Sequence, residues 1–180
     1  MDIQTVLDRA EIADLLALYC RGLDRRDEAT LRSIYHDDAV EDRGEGLFVG
    51  PAQDWVAWTL EVLPVFAITQ HCILNSLIDI AGDTARGETY FNAYHRFEEV
   101  ETAKKSGIPE DISWPEGGTE LILAGRYLDR FERRNGRWKI AYRKMVCDWC
   151  RTQPVADEWF SSNPTAYRGI PDIADAGLAS

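Results

Sequence analysis

Large apolar side chains recur every three or four positions across residues 8–24, and this spacing predicts an amphipathic helix with one buried face. Its apolar positions are Ile12, Leu15, Leu16, Tyr19 and Leu23, and its polar side carries Asp14, Arg21 and Arg25. Asp27 is a suitable N-terminal cap for a second, short helix, and Pro51 suits the first turn of a third. A strand over residues 36–40 and a turn over 43–46 are predicted between the second and third helices.

Four long runs with strand-like patterns follow the helices, over roughly residues 66–80, 83–99, 119–133 and 137–151. A turn is expected at 81–83, and Asn135-Gly136 between alternating apolar residues is a strong hairpin signal. The long polar connection over residues 104–118 is typical of a loop that is functional or mobile. Helices followed by strands predict an α+β fold, in which a curved antiparallel sheet wraps around the three N-terminal helices. A central pocket remains wherever the helices fail to fill the concave face of this cone or roll.

The length of 180 residues fits one domain with a single core. We expect this α+β domain to span residues 1–152. The C-terminal extension, residues 153–180, is rich in proline but carries Trp159, Phe160 and Tyr167. We therefore expect the extension to be ordered and to pack on the domain or on a neighbouring subunit.

Acidic residues outnumber basic residues by 31 to 20, which gives a net charge of −11. A polyanion repels phosphate backbones, so we expect no nucleic acid partner. Basic residues cluster over residues 130–144, and we interpret this segment as a solvated hairpin. The acidic start of the chain does not resemble a signal peptide, and no apolar run approaches the ~20 residues of a membrane span. The sequence therefore predicts a cytoplasmic protein that acts without a membrane.

The four cysteines are Cys20, Cys72, Cys147 and Cys150. The last two form a CxxC motif, but a redox motif of that kind opens a helix after a strand, whereas this one ends a strand-like run. A structural zinc site would need a second ligand pair, and the three histidines (His36, His71 and His95) are scattered without ligand spacing. No phosphate-binding or dinucleotide-binding motif is present either. We expect packing thiols, no metal site and no cofactor.

Asp24 and His71 are candidates for chemistry, although each also has a structural interpretation. Asp24 falls at the flank of the first helix's apolar stripe, where an acid is either a surface charge or a carboxylate aimed into a cavity. His71 lies on a strand face of mixed polarity, as in a ligand pocket, but a lone strand histidine is often a satisfied structural residue. Together, the carboxylate would fix the tautomer of the imidazole, whose free nitrogen could then remove a proton from carbon or hydroxyl. Tyr19 could donate a proton to a leaving group, or it could simply pack in the core.

Two segments resemble the SnoaL-like family within the nuclear-transport-factor and cystatin-like superfamily. They are RAEIADLLALYCRGLDRRDEATLRSIYHDDAV and GRYLDRFERRNGRWKIAYRKMVCDW, and the similarity covers about residues 6–152. The members that the chain resembles in particular are hexachlorocyclohexane dehydrochlorinase, bile-acid 7α-dehydratase and scytalone dehydratase. The resemblance implies a cone-shaped α+β fold and assembly as a homodimer or homotrimer. It also implies that Asp24 and His71 are the catalytic pair of this family.

The resemblance assigns roles to further residues. Tyr19 corresponds to a tyrosine of the bile-acid enzyme, and Arg143, which follows Trp138, corresponds to an arginine of the dehydrochlorinase that would hold a departing anion. The expected substrate-binding residues are Glu41, Phe66, Thr69, Phe91, Tyr127, Met145 and Cys147. Two of these depart from the relatives. Cys147 replaces an arginine of the bile-acid enzyme, which weakens a bile-acid substrate, and Glu41 replaces a pocket tryptophan of the dehydrochlorinase, which argues against a purely apolar halogenated substrate.

The function implied is a cofactor-independent lyase, similar to a dehydratase or dehydrohalogenase, that acts on a small cyclic, aromatic or steroid-like substrate. One alternative is an isomerase or cyclase of a polycyclic ketone, which would use the same pair but release no water or halide. Another is non-catalytic: a small-molecule-binding module, or a structural subunit like the β chain of ring-hydroxylating dioxygenases. This alternative predicts a stable hetero-complex and a pocket in which Asp24 and His71 do not touch.

Overall fold

The computed structural model describes residues 2–97 and 118–156, together with a few isolated residues of the C-terminal tail. Within these residues the helices are α1 (Ile3–Asp24), α2 (Glu28–Ser33) and α3 (Ala52–Val62), and α3 continues into a 3-10 turn, Leu63–Val65. The strands are β1 (Tyr35–Asp42), β2 (Val49–Pro51), β3 (Ile68–Ala81), β4 (Thr84–Phe97), β5 (Thr119–Arg134) and β6 (Arg137–Pro154). The three predicted helices and the four predicted long strands are thus present.

Aspartate side chains start the first two helices. Asp2 accepts a hydrogen bond from the backbone N–H of Thr5 at 2.7 Å, and Asp27 accepts one from that of Thr30 at 3.0 Å. Each carboxylate satisfies an N–H group that has no partner inside its own helix. The predicted cap at Asp27 is confirmed. The cap at Asp2 explains why α1 begins at Ile3, earlier than the spacing of apolar residues predicts.

The strands form one curved sheet in the order β2-β1-β6-β5-β4-β3, and the helices pack in its concave face. The predicted α+β class is confirmed. Neighbouring strands are antiparallel except β1 and β6, which run parallel. The four long strands pair antiparallel as predicted, and the parallel pairing involves the short strand β1. A tight hairpin between two strands forces them to be antiparallel, but β1 and β6 are not consecutive along the chain. The long connection between them therefore allows the parallel direction.

The Asn135-Gly136 turn joins β5 to β6 as predicted. Both residues have positive φ angles, 54° for Asn135 and 76° for Gly136. This backbone conformation matches the twist of a two-residue hairpin, and asparagine and glycine adopt it at least cost. The turn fixes the register of the two longest strands, which places Asp129 opposite Arg143.

A bulge in β3 changes which side chains face the helices. Ile73 pairs with Phe91 and Ser76 with Thr89, so β3 has one extra residue over this stretch. Before the bulge, the odd-numbered positions of β3 face inward; after it, Ile78 does, at 7% exposure. This switch explains the mixed polarity along β3. It leaves His71 on the concave side of the sheet.

Arg26 ties the end of α1 to the segment that leads into β3. Its φ angle of 52° reverses the chain after α1. Its guanidinium donates to the carbonyl oxygens of Leu63, at 3.3 Å, and Phe66, at 3.0 Å. The last turn of α1 is thereby held against the start of β3, although the two elements are far apart in sequence.

Two expectations lie largely outside the described residues. The connection over residues 104–118 is described only at Gly118, and the extension over residues 153–180 only at its start and at isolated positions. The boundary between the domain and the extension, and the packing of the extension, stay predictions.

Candidate active site

The concave side of the sheet encloses a cavity of about 340 Å³, a size typical of small-molecule sites. Most of its lining is apolar or aromatic and comes from α1, α3 and the strands β3 to β6. The lining residues whose side chains carry an N–H, O–H or S–H group are Tyr19, Arg43, Trp55, Trp58, Thr59, His71, His95, Tyr127 and Cys150. An apolar cavity with few polar groups orients an organic molecule rather than a strongly hydrated ion.

Asp24 and His71 meet at the cavity wall. Oδ1 of Asp24 lies 2.7 Å from Nδ1 of His71, and Oδ2 accepts the backbone N–H of His71 at 2.9 Å. The two side chains are 15% and 8% exposed. A carboxylate accepts hydrogen bonds, so this contact places the ring proton on Nδ1 and leaves Nε2 as the basic atom. The predicted neighbours are therefore in contact, whereas their catalytic role stays a prediction.

Tyr19 is the polar residue through which α1 contributes directly to the described lining of the cavity. The Nη2 atom of Arg43 hydrogen bonds to the hydroxyl of Tyr19, so the tyrosine oxygen acts as acceptor and keeps its own proton for another partner. The Tyr19 ring stacks on Trp55 at 5.8 Å between centroids and packs edge-on against Tyr127 at 5.4 Å. Burial raises the pKa of the Tyr19 hydroxyl, although the charge of Arg43 opposes the shift. The hydroxyl is therefore a protonated donor at neutral pH.

Glu41 holds Arg43 in place. Oε1 of Glu41 accepts hydrogen bonds from Nε of Arg43 at 2.7 Å and from Nη2 at 2.6 Å. The Tyr35 hydroxyl donates to Oε2 at 2.9 Å. Burial raises the pKa of the Glu41 carboxyl, and the Arg43 charge opposes that rise. For Arg43, burial lowers the pKa, but the charge of Glu41 and the neighbouring hydroxyls of Tyr19, Tyr127 and Tyr35 together outweigh burial, so the net shift is upward and the guanidinium stays charged.

His95 lies next to His71 on the cavity wall. The two rings meet edge-on with centroids 5.2 Å apart, and Phe66 covers His95 at 4.6 Å. Burial, helped by the neighbouring His71, lowers the pKa of His95 to about 3, against a hydrogen bond to the backbone of Leu121. His95 is therefore neutral at physiological pH. Its Nδ1 atom is buried without a hydrogen-bond partner in the part of the chain that the structure describes.

Arg143 does not reach the cavity. It forms two hydrogen bonds of 2.8 Å with Asp129, and both side chains are fully buried. Its guanidinium lies behind two aromatic rings, 4.1 Å from the centroid of Tyr19 and 4.3 Å from that of Tyr127. Asp129 and the two rings separate Arg143 from the cavity lining, and its expected role in holding a departing anion stays a prediction. Arg143 instead backs the aromatic wall, and the basic segment is not wholly solvated.

The expected binding residues divide into two groups. Four of them line the cavity: Phe66, Phe91, Tyr127 and Met145. Thr69 is buried near His71 without lining the cavity, and Glu41 is buried behind Arg43. Cys147 is exposed and outside the lining, although Cys150, further along β6, lies within it.

The expectation of packing thiols is wrong for three cysteines. Cys20 is buried, but Cys72, Cys147 and Cys150 are exposed. A bulge in β6 adds one residue between Cys147, which pairs with Gly125, and Trp149, which pairs with Ala124. The alternation of faces that the CxxC spacing implies for a regular strand therefore does not hold here.

Among the lining residues that the sequence did not assign to the site, Arg43 and His95 are the two with basic side chains. His95 could have been found by its alternation with Phe91 and Phe97, which are buried on the same face of β4. Arg43 begins a glycine-containing turn, where a charged residue is ordinarily solvated. Its spacing of two from Glu41 was a weak signal that both side chains lie on one side of the strand.

Metal clusters and membrane-spanning helices are both absent from the described part of the chain. Among its residues, no group of three or more histidine, cysteine or acidic side chains is arranged to hold a metal ion. No described helix has the length and apolar character needed to cross a bilayer.

The sequence is similar to known proteins over most of its length. The SnoaL-like domain matches residues 4–144. Hexachlorocyclohexane dehydrochlorinase 1 of Sphingobium indicum is 26% identical over 148 residues, which cover 78% of this chain and 81% of that protein. Gamma-hexachlorocyclohexane dehydrochlorinase of the same species is 27% identical over 154 residues, covering 82% of this chain and 85% of that protein.

Solved structures share the fold. A crystal structure of hexachlorocyclohexane dehydrochlorinase of type 2 aligns with a TM-score of 0.68 at 24% identity, covering 87% of this chain and 95% of that chain. A structure from Novosphingobium aromaticivorans, provisionally described as a scytalone dehydratase, aligns with a TM-score of 0.66 at 20% identity over 100% of both chains. At these identities the structures show the fold alone, and they confirm the cone-shaped architecture.

Proposed function

The chain belongs to the SnoaL-like domain family, and on that premise we propose that it is a cofactor-independent lyase that removes water or a halide from a small cyclic organic molecule. The observation that carries the proposal is the double contact of the Asp24 carboxylate with the ring and backbone of His71 at the wall of an apolar cavity. The relatives named as dehydrochlorinases support an elimination rather than another reaction class.

In the first step, His71 acts as the general base. Its Nε2 lone pair takes a proton from a carbon atom of the substrate, and Asp24 stabilises the imidazolium that forms. The electron pair of the broken C–H bond stays on the substrate and forms the carbon–carbon double bond as the leaving group departs. Asp24 is placed to stabilise this imidazolium because one of its oxygen atoms contacts the His71 ring and the other contacts the His71 backbone.

In the second step, the leaving group departs from the neighbouring carbon with its bonding electrons. Chloride leaves as an ion, whereas hydroxide requires a proton to leave as water. For the loss of water, Tyr19 supplies that proton from its hydroxyl, and the proton on His71 then restores Tyr19. For the loss of chloride, Tyr19 keeps its proton, and the proton on His71 passes to solvent. The hydrogen bond from Arg43 stabilises the phenolate that forms transiently on Tyr19.

The cavity wall favours a ring-shaped substrate. Tyr127 stacks on Phe91 with centroids 4.4 Å apart, and Trp55 and Phe66 add further flat apolar surface. The low pKa of His95 keeps a second imidazolium from forming beside His71, which preserves the apolar character of the wall. We therefore propose a cyclic or aromatic substrate, with Phe66, Phe91, Tyr127 and Met145 as its apolar contacts.

Assembly as a homodimer or homotrimer is part of the same proposal. Several large apolar side chains of the sheet are exposed, among them Leu77 at 76% and Trp149 at 52%. A second copy of the chain could bury such exposed apolar side chains. Light scattering on the purified chain tests this, and a monomer at micromolar concentration would contradict it.

The experiment that tests the function is an elimination assay with two probes. One is 3-hydroxy-1-tetralone, which loses water to give 1-naphthol, and the other is γ-hexachlorocyclohexane, which releases chloride. We expect the wild type to convert at least one probe and His71→Ala to lose that activity while keeping its circular dichroism spectrum. Arg137→Met, a substitution at an exposed position of β6, is the control and should retain activity.

Three outcomes would count against the lyase. They are no conversion of either probe, equal conversion by His71→Ala, and conversion to a rearranged product without release of water or chloride. The last result would favour the isomerase.

A further inference from the structure

Arg43 is the cation of the cavity wall. Among the described residues that line the cavity, it alone carries a lysine or arginine side chain. Its side chain is 8% exposed, and it reaches the cavity from the turn that follows β1. Burying a charged guanidinium in an apolar wall costs free energy unless each of its N–H edges has a hydrogen-bond partner.

The guanidinium is fixed on three sides. Nε and Nη2 bind Glu41, Nη2 also contacts the Tyr19 hydroxyl, and the group lies 4.6 Å from the ring centroid of Trp55. These contacts set the plane of the guanidinium, and they leave Nη1 as the edge without a charged partner.

Nη1 faces a weak acceptor. Its hydrogen-bond contact within the described residues is the thioether sulfur of Met145 at 2.8 Å, and Met145 itself lines the cavity. A thioether accepts hydrogen bonds poorly, whereas an oxyanion beside a guanidinium forms a short, strong one. Methionine is also flexible, so it can move aside at small cost.

We propose that Arg43 is the specificity-determining residue of the cavity and that its Nη1 edge binds an oxyanion (a carboxylate, phenolate or enolate oxygen) on a ring-shaped ligand. The inference rests on the proposed use of the cavity as a substrate site. It assigns to Arg43 the anion contact that Arg143, held by Asp129 behind the aromatic wall, is not placed to make. The two neighbouring carboxylates already have partners. Glu41 binds the opposite edge of the guanidinium, and both oxygens of Asp24 face His71.

The test compares two probes of the same shape and different charge. Isothermal titration calorimetry with the full chain measures the dissociation constants of 2-naphthoate and 2-naphthamide. We expect the wild type to bind the carboxylate at least about tenfold more tightly, since a hydrogen bond to a charged group has that order of effect. In Arg43→Met the preference should vanish while 2-naphthamide binds as before. In Arg137→Met, which removes an exposed positive charge outside the cavity, the preference should remain.

Arg43→Met leaves Glu41 buried without its counter-charge, which destabilises the fold. A second variant keeps the test meaningful if Arg43→Met does not fold. The double variant Glu41→Gln/Arg43→Met removes both charges, and the amide oxygen introduced by Glu41→Gln can still accept the Tyr35 hydroxyl. The double variant too should bind the two probes with equal affinity.

The proposal is overturned if the wild type binds both probes equally or neither probe, or if the preference persists in the double variant. His71→Ala separates this inference from the proposed function. Loss of turnover with an intact preference for 2-naphthoate supports both. If the wild type prefers 2-naphthoate but shows no elimination activity, the lyase is overturned and the oxyanion contact stands.

Discussion

The Asp24 carboxylate binds His71 at two points, the ring Nδ1 at 2.7 Å and the backbone N–H at 2.9 Å. The second contact matters as much as the first, because it fixes the carboxylate against the strand and not only against a side chain that can rotate. The last residue of α1 and the fourth residue of β3 are thereby held in one geometry. This arrangement gives the imidazole a defined tautomer before any ligand arrives.

Asp24→Asn tests the charge of the pair at constant shape. The amide can accept one of the two hydrogen bonds but carries no charge to stabilise an imidazolium. We expect kcat for elimination to fall by about 10²–10⁴-fold, the usual contribution of a general base, with the fold intact. Steady-state kinetics measures the effect, and a change of less than about threefold would show that the carboxylate has only a structural role.

Tyr19→Phe separates the two leaving groups. The substitution keeps the ring that stacks on Trp55 but removes the proton that hydroxide needs and chloride does not. We expect kcat/KM for 3-hydroxy-1-tetralone to fall by about 10²-fold, whereas that for 3-chloro-1-tetralone should change little. An equal loss with both compounds would mean that Tyr19 shapes the cavity and does not act as an acid.

His95 makes the stability of the protein depend on pH. Burial lowers its pKa from 6.5 to about 3 in the folded state, so between these values the unfolded chain binds the proton more tightly. Stability is therefore fully present above pH 6.5 and declines as the pH falls toward 3. Between pH 7 and pH 4.5 this one group costs about 2–3 kcal/mol of unfolding free energy.

The measurement is urea unfolding of the wild type and His95→Gln at both pH values. The glutamine has no proton to gain, so the variant should lose about 2–3 kcal/mol less than the wild type over this interval. Parallel losses in the two proteins would show that His95 is solvated in the folded state.

Asp129→Asn tests the buried ion pair behind the cavity. Arg143 would keep its charge in a fully buried site without a counter-charge, so we expect a loss of about 3–5 kcal/mol in unfolding free energy. Asp148→Asn is a matched control, because Asp148 binds Arg126 with the same two-point geometry at the surface. Water and salt screen the surface pair, and its loss should cost far less. Similar costs for the two variants in urea unfolding would contradict the buried position of Arg143.

The sequence allowed Asp24 and His71 to be predicted as neighbours because each lies in a regular element of a recognisable family fold. Periodicity identified α1 and the four long strands, and the Asn135-Gly136 turn identified the hairpin of β5 and β6. These features depend on local pattern, which is visible in the sequence itself.

The surroundings of Arg43 and Arg143 could not be predicted because they depend on contacts between distant segments. Arg43 stands in a turn that is ordinarily solvated, and only the packing of Glu41, Tyr19 and Trp55 brings it to the cavity. Arg143 lies on a strand whose inner face is covered by aromatic rings and by Asp129. The bulges in β3 and β6 likewise shift the alternation of faces, and no local sequence signal reveals them.

The tautomer of His71 tests the central claim most directly, and it requires no substrate. Two-bond ¹H–¹⁵N correlation spectra of the labelled chain identify which ring nitrogen carries the proton. We predict protonated Nδ1 and unprotonated Nε2 in the wild type at pH 8, and a shift of the proton toward Nε2 in Asp24→Asn. A wild-type ring with its proton on Nε2, or a spectrum that Asp24→Asn leaves unchanged, would show that Asp24 does not hold His71 as a base.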